Sequence, residues 1–235
     1  MTVRVPLLAR RLHKWVALLV GLQLLIWTVT GLYMVTVDLD FIHGDHLVKA
    51  QPRRAIPALR LADPLAVARQ VAGAKDVRLY WRKDRPSYAV STEAEIKSFD
   101  AVSGAALLAP TAADIRRAAQ ERFTGSADIA SAVLLAEPPF EVRGRKGPLW
   151  RVQFQGWNKP TFYLSAQTGE LLSQRHELWR TFDFFFGLHV MDYWTRENVN
   201  NPLLRVVSWI AAIMALSGAW LLLYSFPRRA KRKAA

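Results

Sequence analysis

Two long stretches of the chain contain no charged residue, and each is long enough to cross a membrane. Residues 15–37 read WVALLVGLQLLIWTVTGLYMVTV, and residues 206–226 read VVSWIAAIMALSGAWLLLYSF. About 20 apolar residues in a helix cross the roughly 30 Å of hydrocarbon in a bilayer. The pattern therefore predicts two transmembrane helices, at residues 15–37 and 203–226.

Between these stretches the pattern changes to short alternating segments separated by turn residues. After a connector at residues 38–60, Asp63 as N-cap and Pro64 in the first turn predict a short helix. VRLYWRK and PSYAVST then alternate apolar and polar residues around DRP, as the two strands of a hairpin do. The helical TAADIRRAAQERF and a second hairpin, PLWRVQFQGW with PTFYLSAQTGELLSQ, repeat the scheme. We therefore predict two helix-plus-antiparallel-sheet units, at residues 61–110 and 111–175.

Each predicted unit closes on the same short pattern, a hydroxyl residue and a glycine followed by leucine three positions later. Glycine suits a tight turn in which φ is positive. DAVSGAALL at residues 100–108 and SAQTGELLS at residues 165–173 carry the pattern, with Ser165 where the first copy has an acid. Both segments resemble the closing motif of PepSY-like units.

The chain ends extend this likeness to nearly the whole sequence. RRLHKWVALLVGLQLLIWTVTGLYM resembles the opening of PepSY-associated transmembrane proteins, and GLHVMDYW with the following apolar segment is similar to their return through the membrane. The resemblance implies an α+β membrane protein, in which two transmembrane helices form a hairpin flanking a periplasmic domain of one or two PepSY-like units. Larger relatives with four or more spans include haem-containing reductases of ferric siderophores. The resemblance thus implies haem b as a cofactor and His13 as an axial ligand.

The charge distribution predicts how the two spans are oriented. The net charge is +13, and basic residues without acids occupy residues 1–14 and 227–235. Positive flanks remain on the cytoplasmic side, so we expect both termini in the cytoplasm and residues 38–205 outside the bacterial inner membrane. Because topology accounts for the basic clusters, nucleic acid is excluded as a partner, and the lipid bilayer is the expected one. The absence of cysteine excludes disulfides, thiol chemistry and covalent haem attachment.

His189 lies in the aromatic run DFFFGLHVMDYW, within a predicted interfacial helix at residues 176–195. In a helix, Phe182, Phe185 and His189 share one face, and Asp192 follows three residues later. Asp192 could then accept a hydrogen bond from one ring nitrogen and leave the other nitrogen for a metal. Two interpretations stay open: an aromatic-walled haem ligand, or an interfacial helix whose aromatic residues lie at headgroup depth.

The other histidines suggest further sites. His43 and His46, with acidic residues nearby in DLDFIHGDHLV, could form a transition-metal site, or this segment is only a polar loop at the membrane exit. His176 is expected to be a surface residue. His13 lies at the cytoplasmic end of the first span, about 30 Å from the others, and is either a haem ligand or an interfacial residue.

Haem ligation by two histidines requires both at one depth, and His13 has no partner at the inner end of the second span. A second copy of the chain would supply another His13. Small residues spaced four apart, Ala211, Ala215 and Ala219 in the second span and Ala17 with Gly21 in the first, are typical of helix–helix contact faces.

Three functions follow from these patterns. The chain is a subunit or accessory of a membrane redox or iron (siderophore) uptake and reduction system that binds haem b, a non-catalytic accessory whose periplasmic units bind a peptidase, sensor or respiratory complex, or a metal-handling protein. If it is an enzyme, it is a haem-dependent ferric reductase or electron-transfer subunit. No flavin or nicotinamide motif is present in the sequence, and another membrane protein or a second copy is the expected partner.

Overall fold

A computed structural model describes residues 5–50, 60–145 and 147–225 of the chain. Side chains are described from residue 14 to residue 220 within these ranges. The basic C-terminal tail lies outside the described residues, as does the side chain of His13. The chain divides into one unit formed by Met1–Val37 with Thr181–Ala235 and a second unit formed by Asp38–Arg180.

The first unit contains the two long apolar helices, α1 (Val5–Thr36) and α6 (Pro202–Ser225). Both are long and apolar enough to span a membrane, over Lys14–Thr36 and Pro202–Trp220. Within this unit α1 contacts α6, yet most of their large apolar side chains are exposed, as Leu19 and Trp209 illustrate. Apolar surface of this extent is costly in water and is typical of helices that face lipid.

Helix α5 (Glu177–His189) carries the aromatic run and is shorter than the predicted helix at residues 176–195. It ends at His189 because the following backbone turns. Met191 has a φ of +53°, which is a left-handed conformation, so the right-handed helix cannot continue through it.

The first sheet of the second unit follows a short helix, α3 (Pro64–Ala68), whose N-cap is Asp63 as predicted. Strands β1 (Asp76–Arg82), β2 (Arg85–Ser91), β3 (Ile96–Asp100) and β4 (Ala106–Leu107) are antiparallel neighbours in that order. Positive φ values at Lys83 and Asp84 form the two-residue turn of the first hairpin. The core against α3 comprises Val67, Val71, Tyr88, Val90, Phe99 and Ala101.

The second sheet repeats the arrangement after helix α4 (Ala112–Arg122), which begins with a Thr111–Asp114 capping box. Strands β5 (Ile129–Leu135), β6 (Leu149–Phe154), β7 (Thr161–Ser165) and β8 (Leu171–Arg175) are again antiparallel and consecutive. Ile115 is completely buried, and Phe123 stacks on Phe154 with ring centroids 4.0 Å apart. The two antiparallel sheets establish the α+β class predicted from the sequence.

The two closing motifs form equivalent turns despite the serine in the second copy. Asp100 Oδ1 accepts hydrogen bonds from the main-chain nitrogens of Val102 and Ser103 at 2.9 and 2.8 Å. Ser165 Oγ likewise accepts from the nitrogens two and three residues ahead, at 3.3 and 3.1 Å. Gly104 and Gly169 follow with φ values of +74° and +78°, which a side chain would strain.

The second of these turns also joins the two sheets to each other. Arg78 on β1 forms two hydrogen bonds, of 2.8 and 2.6 Å, with the carboxylate of Glu170 in the second turn. Ser98 Oγ on β3 donates to the carbonyl of Gln167 at 3.1 Å. The second unit therefore holds both sheets as one connected block.

One further short helix, α2 (Leu39–His43), precedes these sheets within the second unit. Asp38 caps its start by accepting a hydrogen bond from the nitrogen of Phe41 at 2.9 Å. Gly44 ends the helix with a φ of +79°, and a tight 3₁₀ turn over Asp45–Leu47 follows.

Candidate functional site

The ring of His189 is fixed by a buried threonine of α1. Thr30 Oγ1 lies 2.9 Å from His189 Nδ1 and donates its own proton to the carbonyl of Ile26 at 2.7 Å. Since the hydroxyl proton is already used, Thr30 accepts from the ring and Nδ1 carries the hydrogen. Nε2 of the neutral imidazole is then the nitrogen with a free lone pair, which is the form that ligates a metal.

A second contact from the same face of α1 fixes the backbone of His189. The indole nitrogen of Trp27 donates to the His189 carbonyl at 2.8 Å. Gly31 lies beneath the ring, and a Cβ atom at that position would approach His189 Cε1 to 3.4 Å. Trp27, Thr30 and Gly31 share one face because they are spaced three and four residues apart in a helix.

Aromatic side chains of α5 line the neighbouring surface of α1. Tyr33 meets Phe185 edge to face, with ring centroids 4.9 Å apart, and lies 6.4 Å from Phe182. Phe182 in turn lies 6.3 Å from Phe186 with nearly parallel rings. His189 is thus half-buried next to an apolar aromatic surface.

These features meet part of what a haem requires. Haem iron takes an oriented imidazole, and its macrocycle takes an apolar, aromatic surrounding. Among the described side chains of residues 14–37 and 181–220, His189 is the only histidine. His13 lies 17 residues before Thr30 on α1, which is about 25 Å along the helix at 1.5 Å per residue. Because His189 contacts Thr30, His13 and His189 of one chain lie at different levels along α1. The residues therefore fit one axial ligand from this chain at the level of His189.

Asp192 does not make the predicted hydrogen bond with His189. Its Oδ1 accepts from the nitrogen of Thr195 at 3.0 Å, and its Oδ2 accepts from the nitrogens of Glu197 and Asn198, both at 3.0 Å, and from the Thr195 hydroxyl. Because the helix ends at His189, Asp192 no longer lies on the same helical face. The hydroxyl of Thr195 and these N–H groups lower the pKa of Asp192 well below its usual range.

His43 and His46, which were predicted to share a metal site, are in different surroundings. The ligand atoms of Asp40, His43 and Asp45 all lie within 4.8 Å of one another, and all three residues are exposed. His46 is not in this group. Its ring stacks on Phe41, with centroids 4.3 Å apart and an angle of 7° between the planes.

His176 is completely buried, so the prediction of a surface residue was wrong. Its Nδ1 accepts a hydrogen bond from the nitrogen of Trp179 at 3.3 Å, which leaves the proton on Nε2 for donation to the Phe41 carbonyl at 3.1 Å. Desolvation by burial lowers the pKa of His176 from its ordinary value of 6.5. The residue joins α2 to the end of β8, and nothing in the local sequence pattern indicates this long-range contact.

A groove of about 570 Å³ lies between the two sheets of the second unit. Its walls are the outer strand β1 and its turn, helix α4, and the turn at residues 168–171. The charges facing it are mostly paired, with Arg78 bound to Glu170 and Lys83 within 2.6 Å of Asp114.

One family model, described as the PepSY-associated TM region, matches residues 10–235. The chain belongs to this family. No curated protein and no solved structure matches it. The family match covers both apolar helices and both sheets, and it supports a membrane-associated protein in contact with the lipid bilayer.

In this PepSY-associated protein, sequence reasoning identified His189 but missed Trp27 and Thr30. A signal for them was present, because WTVTG places both residues and Gly31 on one face of the first apolar helix. The contact of this face with His189 could not be predicted from the sequence, because Trp27 and Thr30 are 162 and 159 positions away from His189.

Proposed function

We propose that the protein is a two-span hairpin of the bacterial inner membrane, with both termini in the cytoplasm and residues 38–205 in the periplasm. The uncharged spans and the basic residues of segments 1–14 and 227–235 support this orientation. Reporter fusions test it. Alkaline phosphatase joined after residue 125 should be active, and a green fluorescent protein joined after residue 235 should fluoresce. The opposite pattern would reverse the topology.

We propose further that the protein is a subunit or accessory of a membrane redox or iron (siderophore) uptake and reduction system, and that it binds haem b through His189. The observation that carries this proposal is the hydrogen bond of His189 Nδ1 with Thr30, which leaves Nε2 available. Bound haem b would supply one-electron transfer.

The chain's own residues would hold and shield the cofactor. Thr30 fixes the ring orientation of His189 and places its proton on Nδ1, while Trp27 fixes the backbone of the same residue. The aromatic surface formed by Tyr33, Phe182 and Phe185 would exclude water from one side. Such orienting contacts increase the basicity and affinity of a ligating imidazole.

The direct test is a visible spectrum of the full chain purified in mild detergent from haem-supplied cells. Wild-type protein should show a Soret band and, after reduction, the bands of haem b. His189→Ala should lose at least half of the bound haem. His46→Ala, which removes an exposed histidine outside this site, should retain it. A colourless wild-type protein, or equal haem in His189→Ala, would overturn haem binding by His189.

His13 is proposed to ligate a second haem at the cytoplasmic end, shared with His13 of a second copy. Ala215, Ala219 and Gly21 are exposed within this chain and are small enough for close helix contact with such a copy. Under this proposal, His13→Ala removes half a haem per chain, which is one chain's share of a site between two copies, whereas His189→Ala and His13→Ala together remove all bound haem. An unchanged haem content in His13→Ala would exclude this second site.

The second candidate function is a non-catalytic accessory whose PepSY units bind a partner protein. The groove between the two sheets favours it, because its outer strand β1 pairs on one side only. A photo-crosslinking residue at Glu121, which lines the groove, should then capture one discrete partner in cells, while the same residue at the exposed Arg116 of α4 should not. Equal crosslinking at both positions would contradict the proposal that the groove binds a partner protein.

A further inference from the structure

Asp40, His43 and Asp45 form a cluster of potential metal ligands in the second unit, within α2 and the turn that follows it. Their ligand atoms all lie within 4.8 Å of one another. Asp40 and His43 share a helix face because they are three residues apart. The left-handed conformation of Gly44, at φ +79°, reverses the chain so that Asp45 returns to the same side.

Within the part of the chain that the structure describes, this cluster has no cationic partner. Among the described residues, no ion pair and no side-chain hydrogen bond involves Asp40 or His43. Two carboxylates held close together repel each other unless a cation lies near them. A bound metal ion would supply that positive charge.

The segment that carries the ligands is fixed by groups outside the cluster. Gln174 on β8 donates a hydrogen bond to Asp45 Oδ1 at 3.0 Å and leaves Oδ2 available. His176 holds the Phe41 carbonyl at 3.1 Å. Gly44 packs so closely against Gln174 that a Cβ atom there would lie 3.1 Å from Gln174 Cγ. A carboxylate oriented by an outer hydrogen bond is typical of prepared metal sites.

We propose that Asp40, His43 and Asp45 bind one divalent first-row transition-metal ion. One imidazole and two carboxylates suit Zn²⁺, Co²⁺ or Fe²⁺, whereas Mg²⁺ and Ca²⁺ take oxygen ligands and Cu⁺ takes sulfur. Because all three ligands are exposed, water fills the remaining positions and leaves them open to exchange. This site is separate from His189 and does not depend on haem binding.

His46 provides a matched control for this proposal. It is an exposed histidine only three residues from His43, but its ring stacks on Phe41 rather than joining the cluster. Removing either histidine subtracts the same chemical group from the same short segment. Only the loss of His43 should therefore change metal binding.

The test is calorimetric titration of the full chain, purified in detergent without a polyhistidine tag, with ZnCl₂ and with CoCl₂. We expect one ion per chain. Affinity should fall at least tenfold in His43→Ala and Asp45→Ala, fall about tenfold in Gln174→Leu through loss of the outer hydrogen bond, and stay unchanged in His46→Ala.

Two results would overturn the proposal: no binding by wild-type protein at millimolar metal, or equal weakening by His46→Ala and His43→Ala. Circular dichroism of each variant verifies that folding is intact, and variants that unfold are replaced by Asp40→Asn. The Soret band should be the same in wild type and His43→Ala, so failure of this site and failure of the haem proposal are distinguishable.

Discussion

Trp27 and His189 are joined by a hydrogen bond of 2.8 Å between the indole nitrogen and the main-chain carbonyl. Thr30, one turn further along α1, holds the imidazole of the same residue. One face of a single helix thus fixes both the backbone and the ring of His189. Such double fixation specifies the position of a functional side chain more narrowly than either bond alone.

The Thr30 contact predicts that Thr30→Val destabilises the protein and weakens the haem binding proposed at His189. Valine cannot accept from Nδ1–H, and a buried donor left without a partner costs about 1–3 kcal/mol, so for the half-buried His189 we expect a cost of about 1 kcal/mol. The measurements are thermal unfolding in detergent and haem affinity. Thr28→Val is the matched control, because Thr28 is exposed and its hydroxyl bonds only to the carbonyl of Leu24. Equal effects of the two substitutions would contradict the role assigned to Thr30.

The buried His176 predicts a loss of stability in mild acid. Its pKa is lowered on folding, so the unfolded chain binds a proton first as the pH falls through 6.5. The stabilising contribution is therefore complete above pH 6.5 and declines as the pH falls from there toward the lower folded pKa. Thermal melts of the full chain between pH 7.5 and 5 measure the decline.

A variant series attributes this pH dependence to one residue. His176→Gln should melt lower at pH 7.5 but lose much of its sensitivity between pH 7.5 and 5, because the titrating group is gone. His43→Gln, which alters an exposed histidine that is not among the groups lowering the pKa of His176, should keep the wild-type slope. A His176→Gln protein with an unchanged slope would exclude His176 as the cause.

The Glu141 carboxylate predicts a stabilising ion-pair network within the second unit. Arg180 donates to it at 2.7 and 3.1 Å, and the Tyr163 hydroxyl also donates to it. Hydrogen bonds to charged groups are worth about 1.5–3 kcal/mol, so Glu141→Gln should cost about 2 kcal/mol in chemical denaturation. Glu93→Gln is the control, since the Lys75–Glu93 pair is 60% and 81% exposed and such pairs contribute about 0–1 kcal/mol. A cost as small as that of Glu93→Gln would show that the network is not stabilising.

The loop organised by Asp192 predicts sensitivity to a single isosteric change. Asp192→Asn places an amide group where an oxygen now accepts from several N–H donors, and we expect a loss of about 2–3 kcal/mol. Thermal unfolding measures it, with Asp128→Asn as an exposed control. The lowered pKa of Asp192 also implies that the wild-type contribution is present above pH 3.8 and is lost as the pH falls below it. Identical melting of Asp192→Asn and wild type would contradict this role.

The elements that depend on local pattern were predictable from the sequence. The two apolar helices follow from their uninterrupted uncharged composition, and the Asp63 cap and the first hairpin follow from capping and turn chemistry. The turn of that hairpin is at Lys83–Asp84, slightly earlier than the predicted DRP of residues 84–86, and Pro86 lies in β2. Ser165, which occupies the position of Asp100 in the first copy, still forms the turn, because its hydroxyl oxygen accepts the same backbone hydrogen bonds.

What could not be predicted depends on contacts between distant residues. His176 is polar and lies at the end of a strand, so its complete burial became evident only from its contact with Phe41, which is 135 residues earlier. The helix boundary at His189 depends on the left-handed Met191, a conformation that the residue type does not indicate. Because α5 ends at His189, Asp192 does not lie next to the His189 imidazole, with which we had predicted a hydrogen bond.

The bonds from Arg78 to Glu170 and from Ser98 to Gln167 bear on how the two sheets can be separated. Both bonds end in the second closing turn, so the first sheet supplies the two donors and the second sheet supplies the two acceptors. A fragment that stops before residue 165 would keep the donors and lack both acceptors. Biochemical work on either sheet is therefore best done with residues 60–180 kept together.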